Sequence, residues 1–393
     1  MKKFGNYIAT MWRPAGAVLC GLIALTSLLM FSLGTLVPGY ASQEVAARAS
    51  STSLGVIFND PSNAPHKLVQ YAVGYLKPES EVLMRLVSGA VASFTTVMFY
   101  LLVKRWFTQY VALLSTLLFF TSSWFLGSAR LATPTIMLTT LISLVYFGHF
   151  LRSTTKSWPW ILAAIILGVA LYGPGIIWFV VAAAAWQIGR LRKSFERLKS
   201  STIIICSTLV VLLVVPLILA AIKNSEFLFT ILGIPRDFRP LLDIARHIIH
   251  IPITIFYRSP PEPVYWLDDL PLLDFISIAL FVLGSLSMAR HWKLDRSRLT
   301  AGVLFLGTVW VGLSGERENI IILLPFIYIV IAAGIHWLLR EWLLTFPRNP
   351  IAKAIGSSLV AVAILFSCNY HITRYFLAWP SAPATTTAFS EKL

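Results

Sequence analysis

Charged residues are scarce in this sequence. Asp, Glu, Lys and Arg make up 12% of the 393 residues, whereas hydrophobic residues make up 57% and the mean hydropathy is +0.76. In a soluble globular domain, about a quarter of the residues are charged. Apolar runs of about 20 residues, the length that spans a bilayer as a helix, recur along the chain. The composition therefore excludes a water-soluble fold and predicts an all-α polytopic membrane protein.

Cysteine is also scarce. The three cysteines, Cys20, Cys206 and Cys368, lie within or beside apolar segments, and their spacing fits neither a metal site nor a disulfide framework. The acidic residues show no cluster with the spacing of divalent-cation ligands. The sequence therefore indicates no metal site and no cofactor.

Acids are fewer than bases, 17 against 32, which gives a net charge of +15. The bases lie mainly in short loops between apolar runs, as the positive-inside rule requires, and no soluble basic domain is left to bind nucleic acid. This distribution predicts a multi-pass protein of the plasma (inner) membrane. Its N-terminus is expected in the cytoplasm and its C-terminus on the extracytoplasmic side.

The apolar runs predict about eleven transmembrane helices in a single membrane domain, residues 1–393. The expected spans are 15–37, 83–103, 107–126, 132–151, 158–172, 175–189, 202–222, 270–289, 299–314, 319–339 and 354–371.

Two long outer segments and a polar tail lie between and after these spans. Residues 38–82 are expected to form a structured first outer loop with an amphipathic juxtamembrane helix. Residues 223–269 are expected to form the second, in which 241–257 has the periodicity of an interfacial helix. The tail 380–393 is rich in Ser, Thr, Ala and Pro and is expected to be disordered.

Ionisable residues of the outer side are the candidates for chemistry. Arginine offers a planar fork that matches phosphate oxygens, and a nearby carboxylate can serve as a general base. The pattern suits a transfer reaction that uses a lipid-phosphate donor. The candidate acids are Glu44 and Asp60, and the candidate phosphate contacts are Arg48, His66, Lys67, Arg85, Arg130 and Arg317.

Each candidate has a simpler interpretation. Glu44 and Arg48 are spaced as an ordinary ion pair on a helix surface. Arg85, Arg130 and Arg317 have the positions of headgroup anchors, and His66 is more typical of a structural histidine. The His247 and His250 pair lacks a third metal ligand and suits an interfacial helix.

The stretch "PESEVLMRLVSGAVASFTTVMFYLLVKRWFTQYVALLSTLLFFTSSWFLGSARLATPTIM", residues 78–137, carries a family pattern. Together with "SQEVAARAS" and "NAPHKLVQYAVGYL" before it, this stretch resembles the GT-C superfamily of membrane glycosyltransferases. The similarity is to the protein O-mannosyltransferase and lipid A aminoarabinose transferase branch. The resemblance covers about residues 15–340.

This resemblance implies an inverting transfer of a sugar from a polyprenyl-phosphate-linked donor to a glycan, lipid or protein acceptor at the outer membrane surface. In the family, an Asp of the first-loop Asp-Glu motif is the base. Gln43 and Glu44 occupy that motif here, and Thr135 stands where a later Asp is usual. Glu44 is therefore expected to take over as base, with Asp60 as the second candidate and Gln43 beside the substrate.

Two alternatives stay open at this point. The loss of the family Asp favours a catalytically degenerate member that binds or moves lipid-linked saccharide. A secondary transporter would place ionisable residues near the middle of the membrane. His149 and His336 instead lie toward the inner ends of their spans, which argues against ion-coupled transport.

Overall fold

The computed structural model describes residues 21, 23–77, 80–237, 239–267 and 269–391 and is almost entirely helical. Within these residues, β-pairing is limited to a single bridge between Tyr40 and Glu391. The α-helices are α1 (23–30), α2 (Ser42–Ala49), α3 (Leu54–Asn59), α4 (Ala64–Leu76), α5 (Glu81–Trp106), α6 (Gln109–Thr121), α7 (Ser123–Ala129), α8 (Leu141–Phe150), α9 (Ser157–Ala170), α10 (Ile176–Phe195), α11 (Ser200–Lys223), α12 (Ser225–Leu232), α13 (Leu241–Phe256), α14 (Phe275–Arg290), α15 (Asp295–Ser314), α16 (Leu324–Thr345), α17 (Pro350–Thr373), α18 (Trp379–Ser381) and α19 (Pro383–Ala388). Shorter 3₁₀ turns cover Pro134–Thr140, Leu151–Ser153 and Arg317–Leu323, and a π turn covers Arg374–Ala378.

Within the described residues, six helical segments are long and apolar enough to cross a membrane, or seven if the bent pair α6–α7 counts as one span. Helices α9, α14 and the first part of α10 are apolar but shorter. Part of the first predicted span, 15–37, lies outside the described residues. The all-α membrane fold is thus confirmed, whereas the number eleven stays a prediction.

Helix α16 is the centre of the bundle. Its span is 89% buried, whereas that of α11 is 11% buried and has the highest mean hydropathy of the candidate spans, 3.1. A helix this apolar and this exposed is suited to contact with lipid. Helix α14 packs against α16 with the two backbones in close contact. A Cβ atom added at Gly284 would lie only 1.9 Å from the carbonyl oxygen of Val330. Small residues permit such close helix contacts in membranes.

Residues 38–82 and 223–269, the two segments expected on the outer side, both contain helices. Helix α2 lies in the first outer loop, and α13 covers nearly all of the predicted interfacial helix 241–257. The ends of α2, α5, α7, α13 and α15 meet at one end of the bundle, together with the turns between them. We call this the outer end, after the side of the membrane that the sequence predicts for it.

The C-terminal tail differs from the expectation of disorder at 380–393. Helix α19 folds back on the bundle, the Phe389 side chain is fully buried, and Tyr40 pairs with Glu391. The tail is ordered because its aromatic residues pack against one another. Trp379 stacks on Tyr375 and meets the Phe389 ring edge to face.

Candidate functional site

Glu44 lies in the first turn of α2 with 1% of its surface exposed. Its Oε1 accepts hydrogen bonds from Arg85 Nε at 2.9 Å and from the backbone N–H of Ala132 at 2.8 Å. Its Oε2 accepts from Arg85 Nη2 at 2.9 Å and from the N–H of Ala41 at 3.2 Å. Each oxygen therefore has two donors. A carboxylate held in this way is a structural anion, which differs from the general base expected of Glu44.

Arg85 completes this buried pair from α5. Besides Glu44, it donates to the carbonyl oxygens of Leu33 at 3.1 Å and Gly39 at 2.9 Å. The side chain is 2% exposed. These hydrogen bonds tie the end of the predicted first span and the first outer loop to α5, and the guanidinium is not open to a phosphate.

Arg130 is likewise buried rather than open to substrate. It donates to the carbonyl oxygens of Leu28 at 2.7 Å and Phe31 at 2.6 Å. Its guanidinium lies 4.8 Å above the ring of Phe376 and 5.5 Å above that of Tyr375. Arg130 therefore joins the first span to the π turn Arg374–Ala378, which precedes the C-terminal tail.

The turn after Arg130 is the point at which several elements converge. Gln70 of α4 donates to the carbonyl oxygen of Ala132 at 2.9 Å. Ser88 of α5 donates to the carbonyl oxygen of Thr133 at 3.1 Å. Because Glu44 also binds this turn, α2, α4 and α5 all fix its backbone.

Asp60 and Lys67 form an ion pair at 2.8 Å in the first outer loop. Lys67 Nζ also donates to the carbonyl oxygen of Asp60, 2.9 Å away, and lies 3.4 Å from Ser62 Oγ. Burial alone would raise the pKa of Asp60, but the hydrogen bond and charge of Lys67 outweigh it and lower the pKa. Lys67 is 5% exposed and Asp60 about half exposed, so only the acid of this pair faces solvent.

His66 is buried, with 1% of its surface exposed, and its Nε2 lies 3.0 Å from Ser88 Oγ. Burial lowers the pKa of His66 to about 4. The imidazole is therefore neutral at pH 7, which suits a structural histidine and not a phosphate contact.

Gln43 and Arg48 are half-buried on α2. Gln43 Oε1 accepts a hydrogen bond from Ser42 Oγ at 3.1 Å. Arg48 lies in the last turn of the helix, one turn beyond Glu44. Both side chains therefore lie on the partly exposed surface of the first loop.

Glu318 is a carboxylate at the outer end that sequence reasoning did not select. It follows Arg317 in the turn before α16 and is half-buried. Tyr265 donates its hydroxyl proton to Glu318 Oε2 at 2.6 Å, and Thr135 lies within interaction distance of both groups. Burial and the adjacent carboxylate raise the pKa of Tyr265 well above its usual value, so its hydroxyl remains a donor. Among the described residues, no cation forms an ion pair with Glu318.

A cavity of about 350 Å³ lies between α13 and the end of α15, and its lining includes Glu316 and Arg317, the two residues that precede Glu318 in the sequence. Arg317 at its edge donates to Glu262 at 3.1 Å, and both side chains are partly exposed. Polar and charged residues face this cavity from both elements. They are Asp243, Arg246, His247, His250, Thr254, Glu316 and Arg317.

The structure thus separates the predicted candidates into two sets. One set forms a buried frame that holds the first loop and consists of Glu44, His66, Lys67 and Arg85. Arg130 is also buried and connects the first span to the π turn Arg374–Ala378. Arg317 alone of them lines the large cavity. The sequence contains features that point to Glu318 and to the other polar residues that line this cavity. Arg317 stands between two acids, and Arg246, His247 and His250 recur on one face of the predicted helix 241–257.

No arrangement of metal ligands is present in the part of the chain that the structure describes: no group of three or more His, Cys, Asp or Glu side chains could hold an ion. The candidate site therefore consists of one half-buried carboxylate, its tyrosine partner and a nearby cavity lined by both arginines and acids. Such a site can accept a proton and can neutralise an anionic group.

Comparisons with known proteins agree with the fold. A family model described as dolichyl-phosphate-mannose-protein mannosyltransferase matches residues 67–219. A comparison with curated protein sequences finds no match. The structure of ArnT from Cupriavidus metallidurans in the apo state has a TM-score of 0.61 at 12% identity, over 96% of this chain and 78% of ArnT.

Two further structures carry ligands. ArnT from the same organism bound to undecaprenyl phosphate gives a TM-score of 0.50 at 15% identity, over 95% of this chain and 76% of ArnT. The oligosaccharyltransferase AglB from Archaeoglobus fulgidus, in complex with an inhibitory peptide and a dolichol-phosphate, gives 0.56 at 13% identity, over 95% of this chain and 56% of AglB. The predicted resemblance to GT-C membrane glycosyltransferases is confirmed, and the fold is of that type.

Proposed function

We propose that the protein is an inverting membrane glycosyltransferase that takes a sugar from a polyprenyl-phosphate donor at the extracytoplasmic surface. The observation that carries this proposal is the arrangement at the outer end of a GT-C-like fold. There Glu318, a carboxylate without a cationic partner among the described residues, directly follows Arg317 in the sequence, and Arg317 lines a cavity together with Arg246 and His247. The similar structures bound to undecaprenyl phosphate or dolichol-phosphate support a lipid phosphate as the ligand class.

In the proposed reaction, Glu318 is the base. It removes the proton from an acceptor hydroxyl while the acceptor oxygen forms a bond to the anomeric carbon of the donor. The bond from that carbon to the phosphate oxygen breaks, and its electron pair leaves with the polyprenyl phosphate. Arg246 and Arg317 stabilise the resulting charge as hydrogen-bonded cations. Tyr265 orients the carboxylate, because its hydroxyl donates a hydrogen bond to Glu318 Oε2.

The buried frame has a positioning role in this proposal. Glu44 and Arg85 hold the first loop against the turn at Ala132, and this turn leads to Thr135 beside Glu318. Gln43 and Arg48 border the acceptor side, where a glycan, lipid or protein hydroxyl would approach. Asp60 is the second acid to test, although its lowered pKa makes it the weaker base.

A second candidate function is binding of lipid-linked saccharide without transfer. It is favoured by Gln43, since an amide cannot act as a base where the family has an acid, and by the enclosure of Glu44 between two donors at each oxygen. Membrane lipids and the lipid-linked sugar would be the partners in both cases.

The two functions separate in one assay. The purified protein in lipid nanodiscs is incubated with a panel of radiolabelled polyprenyl-phosphate sugars, and both bound and released sugar are counted. Release or transfer of sugar with one donor, lost in Glu318→Gln, supports the glycosyltransferase. Saturable binding without release supports the binding protein. Neither binding nor release with any donor contradicts both.

A further inference from the structure

A second cavity lies at the end of the bundle opposite to the outer end. It is small, about 30 Å³, and lies among the start of α15 and the ends of α14 and α16. Helix α15 runs from this cavity to the turn that carries Glu318. Its 20 residues span about 30 Å, roughly the thickness of the hydrocarbon core of a bilayer. The cavity is therefore at the opposite membrane surface, which the positive-inside rule assigns to the cytoplasm.

The lining of this cavity is basic. Four of its side chains are histidine or arginine, and none of its described residues is an acid. Two acids adjoin lining residues in the sequence: Asp295 forms an ion pair with Arg152 at 2.9 Å, and Glu341 does not line the cavity. The polar and aromatic residues of the lining are His291, Arg296, Ser297, His336, Trp337 and Arg340.

Two arginines are available to an anion in different ways. Arg296 is held in place, because its guanidinium lies 4.7 Å above the ring of Phe107 and it donates to the carbonyl oxygen of Trp106. Arg340 is exposed at the mouth of the cavity, and no acid in the described part of the chain forms an ion pair with it. One cation is therefore fixed inside, and the other is free to close over a ligand.

Ser297 is an independent sign of a missing partner. The residue is 1% exposed and lines the cavity, yet its hydroxyl makes no hydrogen bond to any described residue. Buried polar groups are nearly always hydrogen-bonded, and an unsatisfied one costs about 1–3 kcal/mol. A cavity that offers a hydroxyl donor and two guanidinium groups is suited to a phosphate oxygen.

We propose that this cavity binds a phosphate group, and that its source is the headgroup of an anionic membrane lipid. The cavity admits one phosphate oxygen next to Ser297 and Arg296, while the rest of the group meets Arg340 at the surface. Trp337 beside it is of the residue type that occupies the headgroup level of a bilayer. Basic pockets between helices on the cytoplasmic side are known to take such headgroups. The proposal is independent of the catalytic function, since the cavity is at the other membrane surface.

The test measures lipid binding to the full-length protein in detergent. Phosphatidylglycerol, phosphatidylcholine and inorganic phosphate are added separately, and binding is followed by native mass spectrometry and by the thermal unfolding temperature. Arg340→Gln is the test variant. Arg348→Gln is its matched control, because it removes the same charge from an exposed position after α16 that does not line the cavity.

We expect phosphatidylglycerol to bind the wild-type protein and raise its unfolding temperature more than phosphatidylcholine does. Arg340→Gln should weaken binding by about fivefold, the effect of one cation near an anionic lipid, and Arg348→Gln should leave it unchanged. Ser297→Ala, which removes only the unpaired hydroxyl, should also weaken binding without lowering the stability of the lipid-free protein.

The remaining outcomes are equally decisive. Protection by inorganic phosphate as strong as that by phosphatidylglycerol, and lost in Arg340→Gln, would keep the phosphate site and replace the lipid by a free ion. Equal weakening by Arg340→Gln and Arg348→Gln would overturn the site, because surface charge alone would then account for binding. Equal binding of both lipids would also overturn it.

Discussion

Arg85 donates to both carboxylate oxygens of Glu44, each at 2.9 Å, with less than a twentieth of either side chain exposed. The two residues are 41 positions apart in the sequence. Glu44 lies in α2 of the first outer loop, and Arg85 lies in α5. Because Arg85 also binds the carbonyl oxygens of Leu33 and Gly39, this pair fixes the path of the chain as it leaves the first span. The pair therefore belongs to the framework of the site.

Glu44→Gln is expected to destabilise the protein rather than only to abolish a reaction. It would leave the buried Arg85 charge with only the more distant and partly exposed Glu81 as counterion, and removing one partner of a buried ion pair typically costs about 3–5 kcal/mol. Thermal unfolding of the purified protein measures this loss.

Glu81→Gln is the matched control for that variant. Glu81 lies 3.7 Å from the same guanidinium and is 31% exposed, so its loss should cost less than about 1 kcal/mol. Equal unfolding temperatures for Glu44→Gln and the wild type would refute the framework role. Abolished transfer in such a stable variant would return Glu44 to consideration as base.

Glu318→Gln should abolish sugar transfer while the protein stays folded. Removal of a general base typically costs about 10²–10⁴-fold in rate, and the glutamine can still accept the Tyr265 proton. Initial rates with the donor found in the panel provide the measurement. Glu226→Gln, which changes an exposed acid that does not line the cavity, is the control and should keep most of the activity. An active Glu318→Gln would shift attention to Asp60.

Arg317→Gln and Arg246→Gln should weaken binding of the donor. Hydrogen bonds to charged groups contribute about 1.5–3 kcal/mol each, so a loss of roughly ten- to a hundredfold in affinity is expected. Affinity is measured by titration of the lipid-linked sugar into nanodiscs. Arg258→Gln is the control, since Arg258 is exposed, pairs with Asp269 and does not line the cavity. If both variants bind the donor with unchanged affinity, these arginines do not contact its phosphate and serve only as anchors to lipid headgroups.

The sequence was sufficient for much of the fold, because membrane spans leave a strong signal. Runs of apolar residues predicted α5, α11 and α17 within a few residues. Periodicity likewise predicted α13. The tail was different, since the composition of 380–393 suggests disorder. Its order depends on the contact of Phe389 with Trp379, which in turn stacks on Tyr375, and composition does not encode such tertiary contacts.

The site was harder to predict, because the sequence does not reveal which charges face each other. Glu44 and Arg48 are neighbours on one helix, whereas the bidentate partner in the structure, Arg85, is distant in the sequence. Lys67 has the position of a phosphate contact in the sequence, yet its ammonium is bound to Asp60. Conversely, the sequence does not distinguish Glu318 from the other acids expected on the outer side. The feature that distinguishes it is the hydrogen bond from Tyr265, which only the structure shows.

His66 predicts a pH dependence of stability. Its pKa is about 4 when folded and about 6.5 when unfolded, so the unfolded chain binds the extra proton between these values. Stability is therefore complete above about pH 6.5 and is lost as the pH falls toward 4, by up to about 3 kcal/mol. Other groups titrate in this range as well. The measurement is thus the difference in unfolding temperature between wild type and His66→Gln from pH 7.5 to 4.5. A difference that does not change with pH would contradict the burial effect.

The last prediction concerns the C-terminal tail as a clamp on the framework. Gly39, whose carbonyl oxygen accepts from Arg85, lies against the tail, since an added Cβ would be 2.6 Å from the Glu391 carbonyl oxygen and 2.8 Å from that of Phe389. Gly39→Ala should therefore displace the tail.

Phe389→Ala should have the same consequence by removing a fully buried ring, at a cost of about 3–5 kcal/mol. Digestion with carboxypeptidase provides the measurement: both variants should lose the tail faster than the wild type, whereas the exposed Thr386→Ala should not. Because the tail contacts the segment that binds Arg85, both variants should also lower the unfolding temperature. Rapid digestion with an unchanged unfolding temperature would show that the tail covers the framework without stabilising it.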